Sequence, residues 1–211
     1  MNVETGAHGH DCVKRRQILE GARTVFLNDG FDGASMNDIA RVAGVSKGTL
    51  YVYFDSKEQL FEALILEDRR QQAERIATLG APEDAREFLG DYGRRLSSII
   101  MRPETIAQTR MVIAAAGKFP RLGQVFYESG PRHGVRMLAG HLLKLRDKGQ
   151  LAFDDAERAA QLFLTLSHSC THKRVLFAFS EMPTEEEIAA EVDRAVDVFL
   201  LVYGTEATEG R

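Results

Sequence analysis

The 211-residue chain has no tryptophan, only two cysteines and only five prolines. Cys12 and Cys170 lie far apart and set up no disulfide framework. No apolar run approaches the roughly 20 residues of a membrane span, and the opening MNVETGAHGHDC lacks the apolar core of a secretory signal. A cytoplasmic protein without membrane association is therefore expected. Glycine-rich phosphate loops, paired carboxylates and nucleophile triads are missing too, so no enzyme is expected and no cofactor is implied. Excess positive charge is the last absence. The net charge is −4, and seven Lys and Arg face eight Asp and Glu in the first 60 residues. Any nucleic-acid binding must rest on a few well-placed groups, not on bulk charge.

What the chain does have is helical periodicity. With 44% hydrophobic and 27% charged residues it has the composition of a globular protein, and no segment alternates as a half-buried strand would. Ile18, Ala22, Val25 and Phe26 mark a helix from about Cys12 to Asn28, ended by Asn28-Asp29-Gly30. Further amphipathic segments run from Asp84 to Met101, from Pro103 to Gly117, from Asp154 to Phe179 and from Thr184 to Tyr203. Thr184 and Glu187 form a capping-box pattern. Residues 121–148 contain Ser129-Gly130-Pro131 and form either one kinked helix or two. The fold class is all-α, with nine or ten helices.

The most informative stretch is Ser35 to Leu60, SMNDIARVAGVSKGTLYVYFDSKEQL, which carries three basic and three acidic residues. Ser35 is an N-cap with Asp38 three residues on, so a helix starts at Met36. Gly44 can end it in a left-handed conformation. Ser46 caps the next helix, and Val45 and Leu50 are spaced as a hydrophobic staple that fixes its exit angle. Turning those two inward leaves Lys47, Gly48, Thr49, Tyr51 and Tyr53 outside. That surface suits phosphates and base edges, because a helix start offers free N–H groups and the positive end of the dipole. Gly48 inside a helix suggests close approach of another molecule to the backbone. A further helix opens at Ser56 with Gln59 as partner, and Lys57 in its first turn opposes the dipole, which makes sense beside a phosphate.

Ile39-Ala40, Ala43-Gly44-Val45-Ser46, Gly48, Tyr51, Tyr53-Phe54, Lys57 and Leu60 resemble the DNA-binding signature of the TetR (tetracycline repressor) family. The resemblance implies an N-terminal three-helix domain with a helix-turn-helix, a larger helical ligand-binding and dimerisation domain, homodimerisation on double-stranded DNA carrying a palindromic operator, and repression released by a small-molecule effector. Applied to this chain it implies a DNA-binding domain at 12–55 and a ligand-binding and dimerisation domain at 56–204, with a connecting helix at 56–80. Disordered segments are expected at 1–11 and 205–211. DNA contacts are expected from Ser35, Ser46, Lys47, Gly48, Thr49, Tyr51, Tyr53 and Lys57, with Lys14 to Arg16 as backbone candidates. The connecting helix is polar through Glu67 to Gln72 between two apolar ends, as suits a bridge between two cores.

The remaining candidates lie further along the chain. Met111, Phe126, Phe163, His168 and His172 are candidate lining for an effector pocket, whose apolar bias favours a lipophilic or aromatic molecule. Leu166, Cys170 and Phe177, with Val192, Val196 and Phe199, recur at helical spacing and either close the protomer's own core or supply a dimer interface, for which they are the candidates. His168 and His172, spaced i, i+4, offer the alternative of a metal-responsive regulator, though no carboxylate completes a ligand set. His8, His10 and Cys12 alternate in a weaker metal-like pattern. A Cys170 nucleophile paired with histidine is the remaining enzyme alternative, and it lacks a third group.

Overall fold

The computed structural model describes residues 4–206, excluding the side chains of residues 4–10 and 169. Ten α-helices follow in order: α1 (Glu4–Gly33), α2 (Met36–Ala43), α3 (Lys47–Tyr53), α4 (Lys57–Ala77), α5 (Ala85–Ile100), α6 (Pro103–Ala116), α7 (Pro120–Tyr127), α8 (His133–Asp147), α9 (Ala156–Leu176) and α10 (Glu185–Tyr203). Among the described residues the only extended pairing is a single bridge between Leu151 and Gly204. Helix α1 starts well before Cys12, since extending a formed helix costs far less than nucleating one. The expected arm at 1–11 thus has a helical backbone from Glu4. Residues 1–3 and the side chains of His8 and His10 lie outside the described residues. Gly30 breaks α1 at φ 70 and ψ 176, where the sequence places its end.

The chain divides into two compact units. The first holds Met1–Arg69 and Arg110–Phe126, the second Arg70–Thr109 and Tyr127–Arg211. The boundary in α4 falls between Arg69 and Arg70, inside the polar run. The first unit is wider than 12–55, because it includes the start of α4, the end of α6 and most of α7.

The first unit is built on Ile18, Ala22 and Phe26 of α1, Ile39 of α2, Leu50 of α3 and Phe61 and Leu64 of α4, all nearly inaccessible. Phe61 packs edge-on to Phe26 at 4.8 Å and against Phe31 at 5.2 Å. Two ties fix α1. Arg23 makes a bidentate ion pair with Asp68 of α4 (2.9 and 2.5 Å), and Gly21 lets α2 approach so closely that a Cβ there would lie 2.6 Å from Ala43 Cβ.

In the second unit Phe88, Leu89 and Tyr92 of α5, Leu138 and Leu142 of α8, Phe163 of α9, and Val192 and Phe199 of α10 form the core. Gly93 permits the tight packing of α5, since a Cβ would lie 2.7 Å from Val192 Cγ1 and 3.3 Å from Phe163 Cζ. The Thr184–Glu187 capping box is complete, with Thr184 N–H donating to Glu187 (2.9 Å) and Glu187 N–H to Thr184 Oγ1 (3.2 Å). Residues 121–148 form two helices joined by a widened five-residue π turn, Glu128–Arg132, around Pro131. The extra residue in the turn accommodates a ring that has no N–H and crowds the preceding turn. Of the tail expected from 205, Thr205 is held by its N–H to Gln150 O (3.2 Å) and its hydroxyl to Gly149 O (2.6 Å), while 207–211 lie outside the described residues.

Candidate nucleic-acid interface

Helices α2 and α3 form as local chemistry dictates. Ser35 Oγ accepts from Asp38 N–H at 3.1 Å and donates to the Asp38 carboxylate at 2.5 Å. The carboxylate thus caps the hydroxyl and not the Ser35 N–H, because aspartate is one methylene shorter than the glutamate of a full capping box. The Ser35 hydroxyl and the Arg41 guanidinium hold Asp38 below the usual carboxylate range. Gly44 is left-handed at φ 64, ψ 36, and its N–H donates back to Arg41 O at 3.2 Å. Gln17 Nε2 of α1 reaches Ala43 O at 2.6 Å, satisfying a carbonyl that the end of α2 leaves unpaired.

Helix α3 follows at once. Ser46 Oγ accepts from Thr49 N–H at 3.0 Å and lies 2.8 Å from the Thr49 hydroxyl. Leu50 is fully buried and Val45 packs half-buried against the same core, so the two staple residues face inward. Lys47, Gly48 and Tyr51 are exposed, Thr49 and Tyr53 half-buried. Lys47 Nζ lies 5.9 Å from the centre of the Tyr51 ring. A Cβ on Gly48 would meet nothing nearer than Ser46 Oγ at 3.8 Å, so the fold itself does not require glycine there.

Three positions behave differently from the sequence expectation. Val52 is 82% exposed in the middle of the outward face. The spacing held its signal: Val52 follows Gly48 by four residues, so it shares that face once Leu50 is fixed inward. Lys57 is engaged within the chain, its Nζ donating to Ala34 O at 3.1 Å and lying 4.7 Å above the Phe31 ring. Tyr53 is tied to α1, where Asp11 accepts from its hydroxyl and pushes its pKa up. Of the basic run, Lys14 donates to Gln17 at 3.0 Å, Arg15 lies 5.5 Å over Phe54, and Arg16 is exposed.

The five pocket candidates do not belong to one core. Met111 and Phe126 pack against the first unit's cluster, and Phe163, His168 and His172 belong to the second unit. Phe163 is fully buried, edge-on to Phe199 at 5.4 Å. The imidazoles of His168 and His172 stand perpendicular with centroids 6.3 Å apart. Burial, with the neighbouring His172, pushes the His168 imidazole down to about 4. Among the described residues no three His, Cys, Asp or Glu side chains gather as a metal would need, so the metal-responsive reading has no support.

The interface candidates need a correction. Val192, Val196 and Phe199 are 0 to 2% exposed inside the protomer's own core, so they present no outer surface. Phe177 is 80% exposed, Cys170 is exposed and Leu166 half-buried. Helix α10 instead turns Val198, Leu201 and Val202 outward, Leu201 at 83%. Both sets recur at helical spacing, and periodicity alone does not say which of two apolar faces the protomer itself covers.

Two family patterns match the chain: bacterial regulatory proteins of the tetR family over residues 18–64, and the C-terminal domain of AefR-like transcriptional repressors over residues 87–205. The HTH-type transcriptional repressor AcnR of Corynebacterium efficiens is 31% identical over 164 residues, 78% of this chain and 81% of the relative. The crystal structure of a TetR-family regulator from Mesorhizobium loti superposes with a TM-score of 0.86 at 30% identity, covering 92% of this chain and 98% of that one. The flavonoid-responsive regulator FrrA superposes with a TM-score of 0.78 at 34% identity, again covering 92% and 98%.

Proposed function

The chain belongs to the TetR family and is a DNA-binding transcriptional regulator rather than an enzyme, and from that premise we propose that it acts as a cytoplasmic homodimer repressing transcription from a palindromic operator. The observation that carries this reading is the anchoring of α3. A side chain with no exposed surface, Leu50, holds one face of the helix while Lys47, Gly48, Tyr51 and Val52 stand free on the other. Lys47 and the Thr49 hydroxyl meet phosphate or base edges, and the Val52 methyls suit the thymine methyl group in the major groove. Ser46, by capping, and Tyr53 and Lys57, by their ties to Asp11 and Ala34, orient this surface. Ser35 does the same for α2.

A helix-turn-helix reader recognises two half-sites about 34–36 Å apart, which requires two copies. The exposed apolar residues of α10, Val198, Leu201 and Val202, supply a surface for the second copy, together with the half-buried Leu166 of α9. Release comes from a lipophilic or aromatic effector bound in the second unit. That class is favoured by a core without buried charge among the described residues, and FrrA, a similar protein, responds to flavonoids. The effector acts by preferring one of two states, and a few kcal/mol of differential affinity moves the population. Fluorescence anisotropy on DNA flanking the protein's own gene tests the reading. Lys47→Ala and Val52→Ala should each weaken binding severalfold with unchanged melting temperature, and unchanged affinity in both would overturn the assignment of α3.

A further inference from the structure

The outward face of α3 carries residues that the fold does not ask for. Successive helix positions turn by about 100°, so Gly48 and Val52, two before and two after the fully buried Leu50, project about 160° from it on either side. They are the part of the helix farthest from the unit's core. Thr49 and Tyr51 flank them at about 100°, and Lys47 and Tyr53 fall back to about 60° from Leu50, toward the rim. Val52 is 82% exposed. A Cβ on Gly48 would meet only Ser46 Oγ, at 3.8 Å. Glycine is the poorest helix former after proline, and valine is poorer than alanine. Neither residue helps α3 to form or to pack, so the reason for them lies in what the helix meets.

On the operator-recognition reading above, that partner is duplex DNA, and the floor of its major groove lies against Gly48 and Val52. Neither residue carries a hydrogen-bonding side-chain atom. The Thr49 hydroxyl lies 2.8 Å from Ser46 Oγ, within the cap, and Lys47 Nζ lies 5.9 Å from the centre of the Tyr51 ring. Polar groups thus sit beside the pair and not on it. Pressing the pair on a guanine edge takes water from its acceptors and returns no hydrogen bond. A pyrimidine with a C5-methyl group presents the opposite, an apolar surface in the groove.

We infer that α3 reads the C5-methyl group of a pyrimidine in each half-site, with the Val52 methyls packed on it and Gly48 leaving the room for it to approach the helix backbone. Thymine supplies that group in unmodified DNA, and 5-methylcytosine supplies the same group where cytosine has been methylated. Selection at this position is by shape and apolar contact and not by hydrogen bonds, so a methylated cytosine can stand in for thymine. The inference rests on the operator-recognition reading and deepens it by naming the chemical group that is read.

Fluorescence anisotropy of the full-length protein on three versions of the promoter fragment tests it: unmodified, with deoxyuridine in place of every thymidine, and with 5-methyldeoxycytidine in place of every deoxycytidine. Burying one methyl group is worth about fourfold in affinity, so uracil should weaken the wild type about fifteenfold over two half-sites. In Val52→Ala, whose side chain stops short of the base, that difference should shrink to about twofold. Gly48→Ala should melt no lower than the wild type, since alanine is the better helix former and its Cβ meets open space. The same variant should bind the unmodified fragment about tenfold more weakly, because its methyl fills the approach. A gain on the 5-methylcytosine fragment that Val52→Ala lacks, with no loss on uracil, would make cytosine the base that carries the methyl. Equal wild-type affinity for all three fragments, a uracil penalty undiminished in Val52→Ala, or unchanged affinity in Gly48→Ala would overturn the inference while leaving operator recognition standing. Failure of the wild type to bind any of the fragments would instead sink operator recognition itself, and this inference with it.

Discussion

Gln17 Nε2 donates to the carbonyl of Ala43 at 2.6 Å, across 26 residues of sequence, next to the left-handed Gly44. The bond braces the turn between α2 and α3 from α1, so the angle of α3 depends on a residue outside the helix pair. Gln17→Ala should lower unfolding free energy by about 1 kcal/mol in urea titration. Promoter affinity should fall with it, although Gln17 itself touches no DNA.

Gly21 faces the same end of α2. An alanine there would put its Cβ 2.6 Å from Ala43 Cβ and 2.7 Å from Ala43 Cα, with backbone on both sides. Gly21→Ala should cost about 1–3 kcal/mol through overpacking, read from the denaturation midpoint, and should lose more promoter affinity than Gln17→Ala.

Lys47 and Lys57 read alike in sequence and should separate in experiment. Lys57 donates to Ala34 O and lies over the Phe31 ring, so Lys57→Ala should lower stability by about 1 kcal/mol. Among the described residues Lys47 is placed only against the Tyr51 ring, at 5.9 Å. Lys47→Ala should keep the melting temperature and lower the salt dependence of DNA binding by roughly one phosphate contact.

Gly93 makes the corresponding close approach in the second unit. Gly93→Ala should destabilise by about 1–3 kcal/mol, because its Cβ meets Val192 Cγ1 at 2.7 Å. Adding Val192→Ala should recover part of that loss in a double-mutant cycle, as contacting residues couple.

His168 also makes stability depend on pH. Its imidazole drops from the ordinary 6.5 to about 4 on folding, so over that interval the unfolded chain takes up the proton and the native one does not. The stabilising contribution is complete above pH 6.5 and is lost as pH falls toward 4, at most about 3 kcal/mol. His168→Leu should flatten the urea midpoint across this window, and a slope as steep as the wild type's would refute the assignment.

The amino-acid sequence by itself determined the helical class, the Ser35 and Ser46 caps, the left-handed Gly44, the inward staple of Val45 and Leu50, and the Thr184–Glu187 box. Each depends on partners within five residues, so its geometry follows from residue type and spacing. Tertiary structure alone decided which apolar face of α10 is covered, burying Val192, Val196 and Phe199 and leaving Leu201 and Val202 outside. It decided that Lys57 serves Ala34, that Met111 and Phe126 pack in a different unit from Phe163, and that Ser97 is buried without a partner. Those outcomes depend on which distant helix arrives at a given face, and a periodic pattern of apolar residues specifies that a face is covered without specifying by what.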